Sequence, residues 1–185
     1  MSNPIGYIDR TWNPVVMRCT PVGDGCLNCW HLKFCKRHAG NSTFTDRARN
    51  AYIGKAQYLD EERLREPLHW RKPQRVAVQL MGDIFHESVP DKWIAAVWSA
   101  MHKARKHIFL VLTKRSRRMR DFFQRELTLF SDSVLENVQM GISVWDQESA
   151  DRMIPDLLAT PAAVRMIPDL LATPAAVRWI SVEPM

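Results

Sequence analysis

The sequence predicts an α/β protein with a parallel β-sheet, and two observations support this fold class. Apolar, β-branched runs recur along the chain: RVAVQLM from Arg75, HIFLVLT from His107, VQMGISV from Val138 and VRWISVE from Val177. Such runs are typical of strands that are buried on both faces. Segments with helical periodicity lie between them, and this alternation favours βα units with parallel strands.

The remaining elements are predicted from weaker patterns. PVVMR, from Pro14, is expected to be a further strand of the same sheet, and CWHLKFCKRHA, from Cys29, a helix. The segment from Pro90 has apolar residues every three or four positions, which is typical of a helix with one buried face. Two more helices are expected, from Ser116 and from Gln147.

Residues 152–164 and 165–177 have the identical sequence RMIPDLLATPAAV. Solenoid repeats have periods of about 20–50 residues and occur in three or more copies, so this pair indicates a tandem duplication within one helix–strand connection. The chain ends directly after a predicted strand, with no helix to cover it. We therefore expect a single domain, residues 1–185, that contains the duplication and lacks its C-terminal part.

Composition and charge limit the function classes. The chain has 185 residues, 46% hydrophobic and 25% charged, which is ordinary globular composition. It has neither an apolar stretch of about 18 residues nor a secretion signal, so we expect a cytoplasmic protein without a membrane partner. Residues 1–125 contain 23 Lys or Arg against 11 Asp or Glu, and residues 126–185 contain 3 against 9. A nucleic-acid partner and an ordinary solvated surface both fit this asymmetry.

Polar side chains follow every predicted strand. Because the carboxyl ends of parallel strands meet at one edge, functional groups collect there in α/β sheets and barrels. The residues are Cys19 after the first strand, Asp83, His86 and Glu87 after the second, Thr113, Lys114 and Arg115 after the third, Ser143, Asp146 and Glu148 after the fourth, and Glu183 after the fifth. A shared site is the favoured interpretation; the alternative is that strands simply end where polarity begins.

The four cysteines all lie in one short segment, at Cys19, Cys26, Cys29 and Cys35. In a reducing compartment such a cluster is more typical of metal binding or catalysis than of disulfides. The TPVGDG segment after the first cysteine contains two glycines and can curve around a bulky group. On the predicted helix, Cys35 lies about 240° around the axis from Cys29. Three cysteines are therefore expected to share a site, with Cys35 as a buried structural thiol.

Three thiolates suit two kinds of metal centre. A structural zinc site would need a fourth ligand, for which His31 and His38 are the candidates. A four-iron cluster would keep one iron open to a substrate or cofactor. Both kinds of metal centre are compatible with these residues.

Five segments carry a resemblance to a known family: TWNPVVMRCTPVGDGCLNCW, REPLHWRKPQRVAVQLMGDIFHESVPD, FLVLTKRSRRM, MGISVWDQESADRMIPDLL and VRWISVEPM. The sequence resembles an uncharacterised phage and prophage family related to the radical S-adenosylmethionine (SAM) enzymes, and more distantly the spore photoproduct lyase branch, which acts on DNA. The resemblance implies a partial (β/α) TIM-like barrel with about five parallel strands. It also implies a 4Fe-4S cluster on Cys19, Cys26 and Cys29, and SAM as cofactor.

The resemblance implies roles for further residues. Cofactor contacts would be made by Asp83, Ser143 and Glu183, and phosphate or substrate contacts by Lys114, Arg115, His86 and Glu87. Two features depart from the usual radical-SAM pattern: six residues separate the first two cysteines instead of three, and Met81, Gly82 and Asp83 replace the usual Gly-Gly-Glu.

We therefore expect a radical-SAM-type iron–sulfur protein, for which nucleic acid is one candidate substrate. The alternatives are a non-catalytic, zinc-stabilised nucleic-acid-binding module and a barrel fragment without activity.

Overall fold

The computed structural model describes residues 8–126, 135–160 and 181–182. Along the chain these residues form β1 (Arg10–Trp12), β2 (Val15–Val16), a short 3-10 turn (Asp24–Cys26), α1 (Trp30–His38), α2 (Asp46–Tyr52), β3 (Tyr58–Leu59), α3 (Glu61–His69), β4 (Arg75–Val78), α4 (Asp91–Lys103), β5 (Ile108–Thr113), α5 (Ser116–Glu126), β6 (Val138–Val144), α6 (Gln147–Leu158) and β7 (Ser181–Val182).

The main sheet is parallel, with the described strands in the order β1-β4-β5-β6-β7. Val76 of β4 pairs with Phe109 of β5, which in turn pairs with Val138 of β6. The predicted α/β class and parallel sheet are confirmed. Closure of this row of strands into a TIM-like barrel stays a prediction.

The prediction that the segment from Pro14 forms a strand of the main sheet is wrong. Arg10–Trp12 forms the parallel strand, while Val15–Val16 pairs antiparallel with β3 in a separate two-stranded sheet. Pro14 lacks a backbone N–H and cannot continue a ladder, so the chain leaves the main sheet there. The Gln79 side chain, which bonds to both backbone polar groups of Val15, holds the chain on its new course.

Apolar faces of the helices cover the sheet. Ile94, Val97, Trp98 and Met101 of α4 are buried, as the three-to-four spacing predicts. They pack in one core with the buried valines and aromatics of β4 and β5, while α5 and α6 pack against each other. This packing fixes the strand ends that carry the polar residues.

Helices α2 and α3 were not predicted, although each begins at a side-chain cap. Thr45 Oγ1 accepts a hydrogen bond from the Ala48 amide. Asp60 Oδ1 accepts hydrogen bonds from the backbone amides two and three positions further along the chain. Both helices are short, with seven and nine residues, so capping was the clearest local signal.

The first copy of the duplicated segment starts in α6, with Pro155 inside that helix. The second copy, residues 165–177, and Glu183 lie outside the described residues. Among the helices that the structure describes, none is long and apolar enough to cross a membrane.

Candidate functional site

Beyond the carboxyl ends of β4, β5 and β6 lies a cavity of about 310 Å³, which we call the cysteine cavity. The loop between β2 and α1 contributes three thiols, and the strand ends contribute ionisable and hydroxyl groups. Its lining includes Cys19, Cys26, Cys29, His31, Asp83, Thr113, Lys114, Arg115 and Ser143. The structure therefore brings together nine of the residues that the sequence singled out.

The cysteine loop rests on the indole ring of Trp145, which follows β6. A Cβ atom added at Gly23 would lie 2.5 Å from Trp145, and one added at Gly25 would lie 2.7 Å from it. Real Cβ atoms do not approach so closely, so the glycines allow the backbone to contact the ring directly. Trp145 thereby sets the distance between the loop and the end of β6.

Arg115 links the cysteine loop to the strand ends. Its Nη1 donates to the sulfur of Cys19 at 3.5 Å, and its Nη2 donates to the carbonyl of Thr20 at 2.9 Å. Its Nε donates to both oxygens of Glu87, at 2.9 and 3.0 Å. The Arg115 side chain is only 5% exposed. Its bonds to Cys19, Thr20 and Glu87 therefore hold a buried charge in place from several sides.

Asp83 organises the same edge of the sheet. One oxygen accepts from the Thr113 hydroxyl at 2.8 Å and from the Phe85 amide at 2.9 Å. The other accepts from the Lys114 amide at 3.2 Å and from Arg115 at 3.3 Å. This buried carboxylate thus already bonds to its surroundings through both oxygens, and its expected contact with SAM stays a prediction.

Lys114 and Ser143 come from neighbouring strands and meet at the cavity. The Lys114 ammonium donates to the Ser143 hydroxyl at 3.4 Å. Together with Arg115, Lys114 makes this wall of the cavity basic, which suits an anionic group such as a carboxylate or phosphate.

Cys35 lies outside the cysteine cavity, in a small apolar cluster with Val16, Ala51 and Tyr52. Its sulfur is 3.6 Å from Nε2 of His31. Burial raises the pKa of the Cys35 thiol to about 11, so the thiol stays protonated near neutral pH. Cys35 nevertheless lies near Cys29, because both residues line a further cavity of about 360 Å³. The division into three ligand cysteines and one structural cysteine therefore stays a prediction.

The Cys19 thiol is also shielded from water. Burial raises its pKa to about 11, although the Arg115 charge acts in the opposite direction. The thiol therefore stays protonated near neutral pH, because the Arg115 charge offsets only part of the effect of burial on the pKa of Cys19.

His86 and Glu87 lie beside the cysteine loop but do not line the cysteine cavity. His86 Nε2 is 2.8 Å from the Thr20 hydroxyl, and Nδ1 is 2.7 Å from the Ser88 hydroxyl. Burial, and then the Arg115 charge, lower the pKa of His86. Burial opposes ionisation of Glu87, yet hydrogen bonds from its own backbone and from Arg115 lower its pKa below the usual value.

The two histidines considered as zinc ligands differ in position. His31 lines the cysteine cavity, whereas the His38 ring packs against Phe34 and Phe44. Within residues 8–126, 135–160 and 181–182, no three His, Cys, Asp or Glu side chains are grouped so as to hold one metal ion.

Sequence reasoning missed Gln79, which also lines the cavity. This residue has a φ of 55°, in the left-handed region that residues other than glycine rarely adopt. Its buried amide bonds to Val15 and to the carbonyl of Met81, at 2.8 to 3.0 Å. A polar residue inside an apolar run was the available signal. Gln79 shapes the turn that carries Asp83 into the site.

Comparison with known proteins gives one result. A family model described as "Protein of unknown function (DUF5131)" matches residues 2–168. Searches of curated proteins and of solved structures found no match.

Proposed function

The chain belongs to the DUF5131 family, whose function is unknown, and we propose that it is an iron–sulfur protein of the radical-SAM type related to phage and prophage proteins. The observation that carries the proposal is the cavity shared by Cys19, Cys26 and Cys29, which Cys35 does not line. Three thiols of one loop at the carboxyl ends of parallel strands are the expected donors for a cluster with one open position.

The donor set fits a 4Fe-4S cluster in its chemistry. All four cysteines are free of disulfides, and the three residues in the cavity are partly exposed. The loop carrying them is held by Trp145 on one side and by Arg115 on the other. A bound cluster would supply the electron for reductive cleavage of SAM.

The residues of the chain would bind and orient the reactants. Arg115 contacts the sulfur of Cys19 and keeps the start of the loop on the strand ends. Lys114 and Ser143 offer donors to an anionic part of the cofactor or substrate.

Anaerobic reconstitution with iron and sulfide tests this proposal. We expect a brown protein with broad absorbance at roughly 400 nm and about four irons per chain. Addition of SAM to the reduced protein should change its electron paramagnetic resonance spectrum, since the open iron would gain a ligand. Stoichiometric, tightly bound zinc with no stable cluster would contradict the proposal and favour the zinc-stabilised module.

A further inference from the structure

A second cavity, of about 800 Å³, opens beside the cysteine cavity between α5 and α6. We call it the arginine cavity, because seven Lys or Arg side chains and three Asp or Glu side chains line it. Lys114 and Arg115 line both cavities. The two cavities are therefore neighbours at the same edge of the sheet.

Several of these arginines are held by nearby carboxylates. Arg118 and Arg125 pair with Asp91 at 2.8 and 3.0 Å, and Arg120 pairs with Asp156. These pairs fix the positions of the cationic groups and lower the entropy lost when an anion binds. The pairs of Arg118 and Arg120 are the firmer ones, because these side chains are only 24% and 27% exposed.

Arg117 and Arg152 are different. Arg117 is 84% exposed with its nearest carboxylate at 3.9 Å, and Arg152 is 55% exposed with its nearest carboxylate at 4.0 Å. Exposed pairs at such distances contribute little, so either guanidinium can exchange its carboxylate for a phosphate oxygen. Both side chains line the arginine cavity, one from α5 and one from α6.

Trp30 adds a feature that points to a base-bearing ligand. It lines the cysteine cavity, and it is 54% exposed although it is a large apolar residue. Exposed aromatic rings beside a basic groove are the usual platform on which nucleic-acid bases stack. A base can reach such a ring in a cavity only when it is unpaired.

We propose that the arginine cavity binds the backbone of a single-stranded nucleic acid, with an unpaired base against Trp30 in the cysteine cavity. Arg117 and Arg152 contact phosphates, while the ion-paired arginines shape the groove. Backbone binding needs no cluster. One part of this proposal rests on the proposed function: that the base bound against Trp30 lies where the substrate would meet the cofactor.

The test is fluorescence anisotropy with a labelled single-stranded DNA of about 12 nucleotides. The Arg117→Glu/Arg152→Glu variant is expected to bind the oligonucleotide at least about tenfold more weakly than wild type. The slope of log K against log salt concentration should also become shallower by roughly 1.4, because two phosphate contacts are lost. The matched control is Arg71→Glu/Arg105→Glu, which changes two exposed arginines at the amino-terminal edge of the sheet. It should stay close to wild type.

A second variant separates base stacking from charge. Trp30→Ala should lower affinity for the oligonucleotide by about fivefold or more, yet leave the binding of inorganic polyphosphate unchanged. Circular dichroism establishes that every variant is folded. No binding by the wild type, equal losses in the two double variants, or tighter binding of a duplex of the same sequence would each overturn the proposal.

The iron–sulfur proposal can be tested separately from the nucleic-acid proposal. The anisotropy measurement is repeated on unreconstituted and on reconstituted protein, and the loss caused by Arg117→Glu/Arg152→Glu should be the same in both. A loss that occurs only in the reconstituted protein would overturn the claim that the backbone site is independent of the cluster. Iron content of the reconstituted wild type reports on the proposed function alone.

Discussion

Nη1 of Arg115 lies 3.5 Å from the sulfur of Cys19, although 96 positions separate the two residues in the sequence. The same guanidinium donates to the carbonyl of Thr20 and to the carboxylate of Glu87. It therefore joins the cysteine loop to the ends of β4 and β5. The position of the first sulfur depends on a residue from the opposite side of the site.

Arg115→Gln is expected to destabilise the chain and to impair cluster assembly. The substitution leaves the buried carboxylate of Asp83 without its cationic partner, which costs about 3 kcal/mol of unfolding free energy. It also releases the loop at Thr20, so reconstituted iron per chain should fall. Urea unfolding and iron analysis measure the two effects.

Arg117→Gln is the matched control for this prediction, because Arg117 lies two positions away and is exposed. It should change stability by less than about 0.5 kcal/mol. Arg115→Lys keeps the charge but not the planar fork, so it should recover only part of the iron. Wild-type stability and iron content in Arg115→Gln would contradict the assigned role.

The cysteines are expected to separate into two classes. Cys26→Ser should abolish the absorbance of the reconstituted cluster, because Cys26 lines the cysteine cavity. Cys35→Ser should keep the cluster, yet lower the unfolding free energy by roughly 1–2 kcal/mol, because it places a hydroxyl in an apolar cluster. Visible spectra and chemical denaturation of the two variants provide the comparison. If Cys35 is also required for metal binding, a four-sulfur zinc site gains support.

Local sequence patterns predicted the features that depend on local geometry. The apolar runs marked β4, β5 and β6, and α4 has the buried stripe that its spacing indicated. The predicted helix contains Cys35, but Cys29 precedes it as the N-cap, so the number of residues between the two cysteines does not set the angle between them. The polar residues at the strand ends meet because parallel strands share one edge.

Contacts between distant segments could not be predicted in this way. The glycines of the loop suggested curvature, but nothing in the sequence indicated that Trp145 lies against them. The division of the first predicted strand into β1 and β2 depends on Gln79, more than sixty residues away. Such pairings are set by the packing of the whole domain and not by the residues on either side.

Gly25→Ala is expected to displace the cysteine loop. Its new Cβ would lie 2.7 Å from the Trp145 ring, so either the loop or the ring must move. We expect lower stability, by about 1–3 kcal/mol, and reduced iron after reconstitution. Thermal unfolding and the quenching of tryptophan fluorescence by iodide detect the change.

Gly40→Ala is the control for this prediction, because a Cβ at Gly40 would meet nothing within 4 Å. It should leave stability unchanged or slightly raised, since alanine restricts the unfolded chain. Trp145→Leu in the Gly25→Ala background should restore part of the loss by making room for the methyl group. Equal stability of Gly25→Ala and Gly40→Ala would show that the contact between loop and ring is not tight.

His107 is expected to make the fold sensitive to acid. The ring is fully buried, Nε2 donates to the Pro67 carbonyl at 3.1 Å, and Nδ1 has no hydrogen-bond partner. Burial lowers the pKa of His107 below 6.5, although the bond to Pro67 acts in the opposite direction. The unfolded chain therefore takes up a proton below pH 6.5 that the folded chain resists. The stability that folding gains by keeping His107 neutral is present above pH 6.5 and is lost as the pH falls below that value.

His107→Gln should reduce that acid sensitivity, because an amide N–H can replace Nε2 while the side chain carries no titrating group. Urea unfolding at pH 7.5 and at pH near 5 measures the difference for each protein. His31 and His86 also have lowered pKa values, so part of the wild-type acid sensitivity should persist. His69→Gln, on the exposed side of α3, should leave the difference as in wild type. An unchanged difference in His107→Gln would show that His107 does not contribute to the loss of stability in acid.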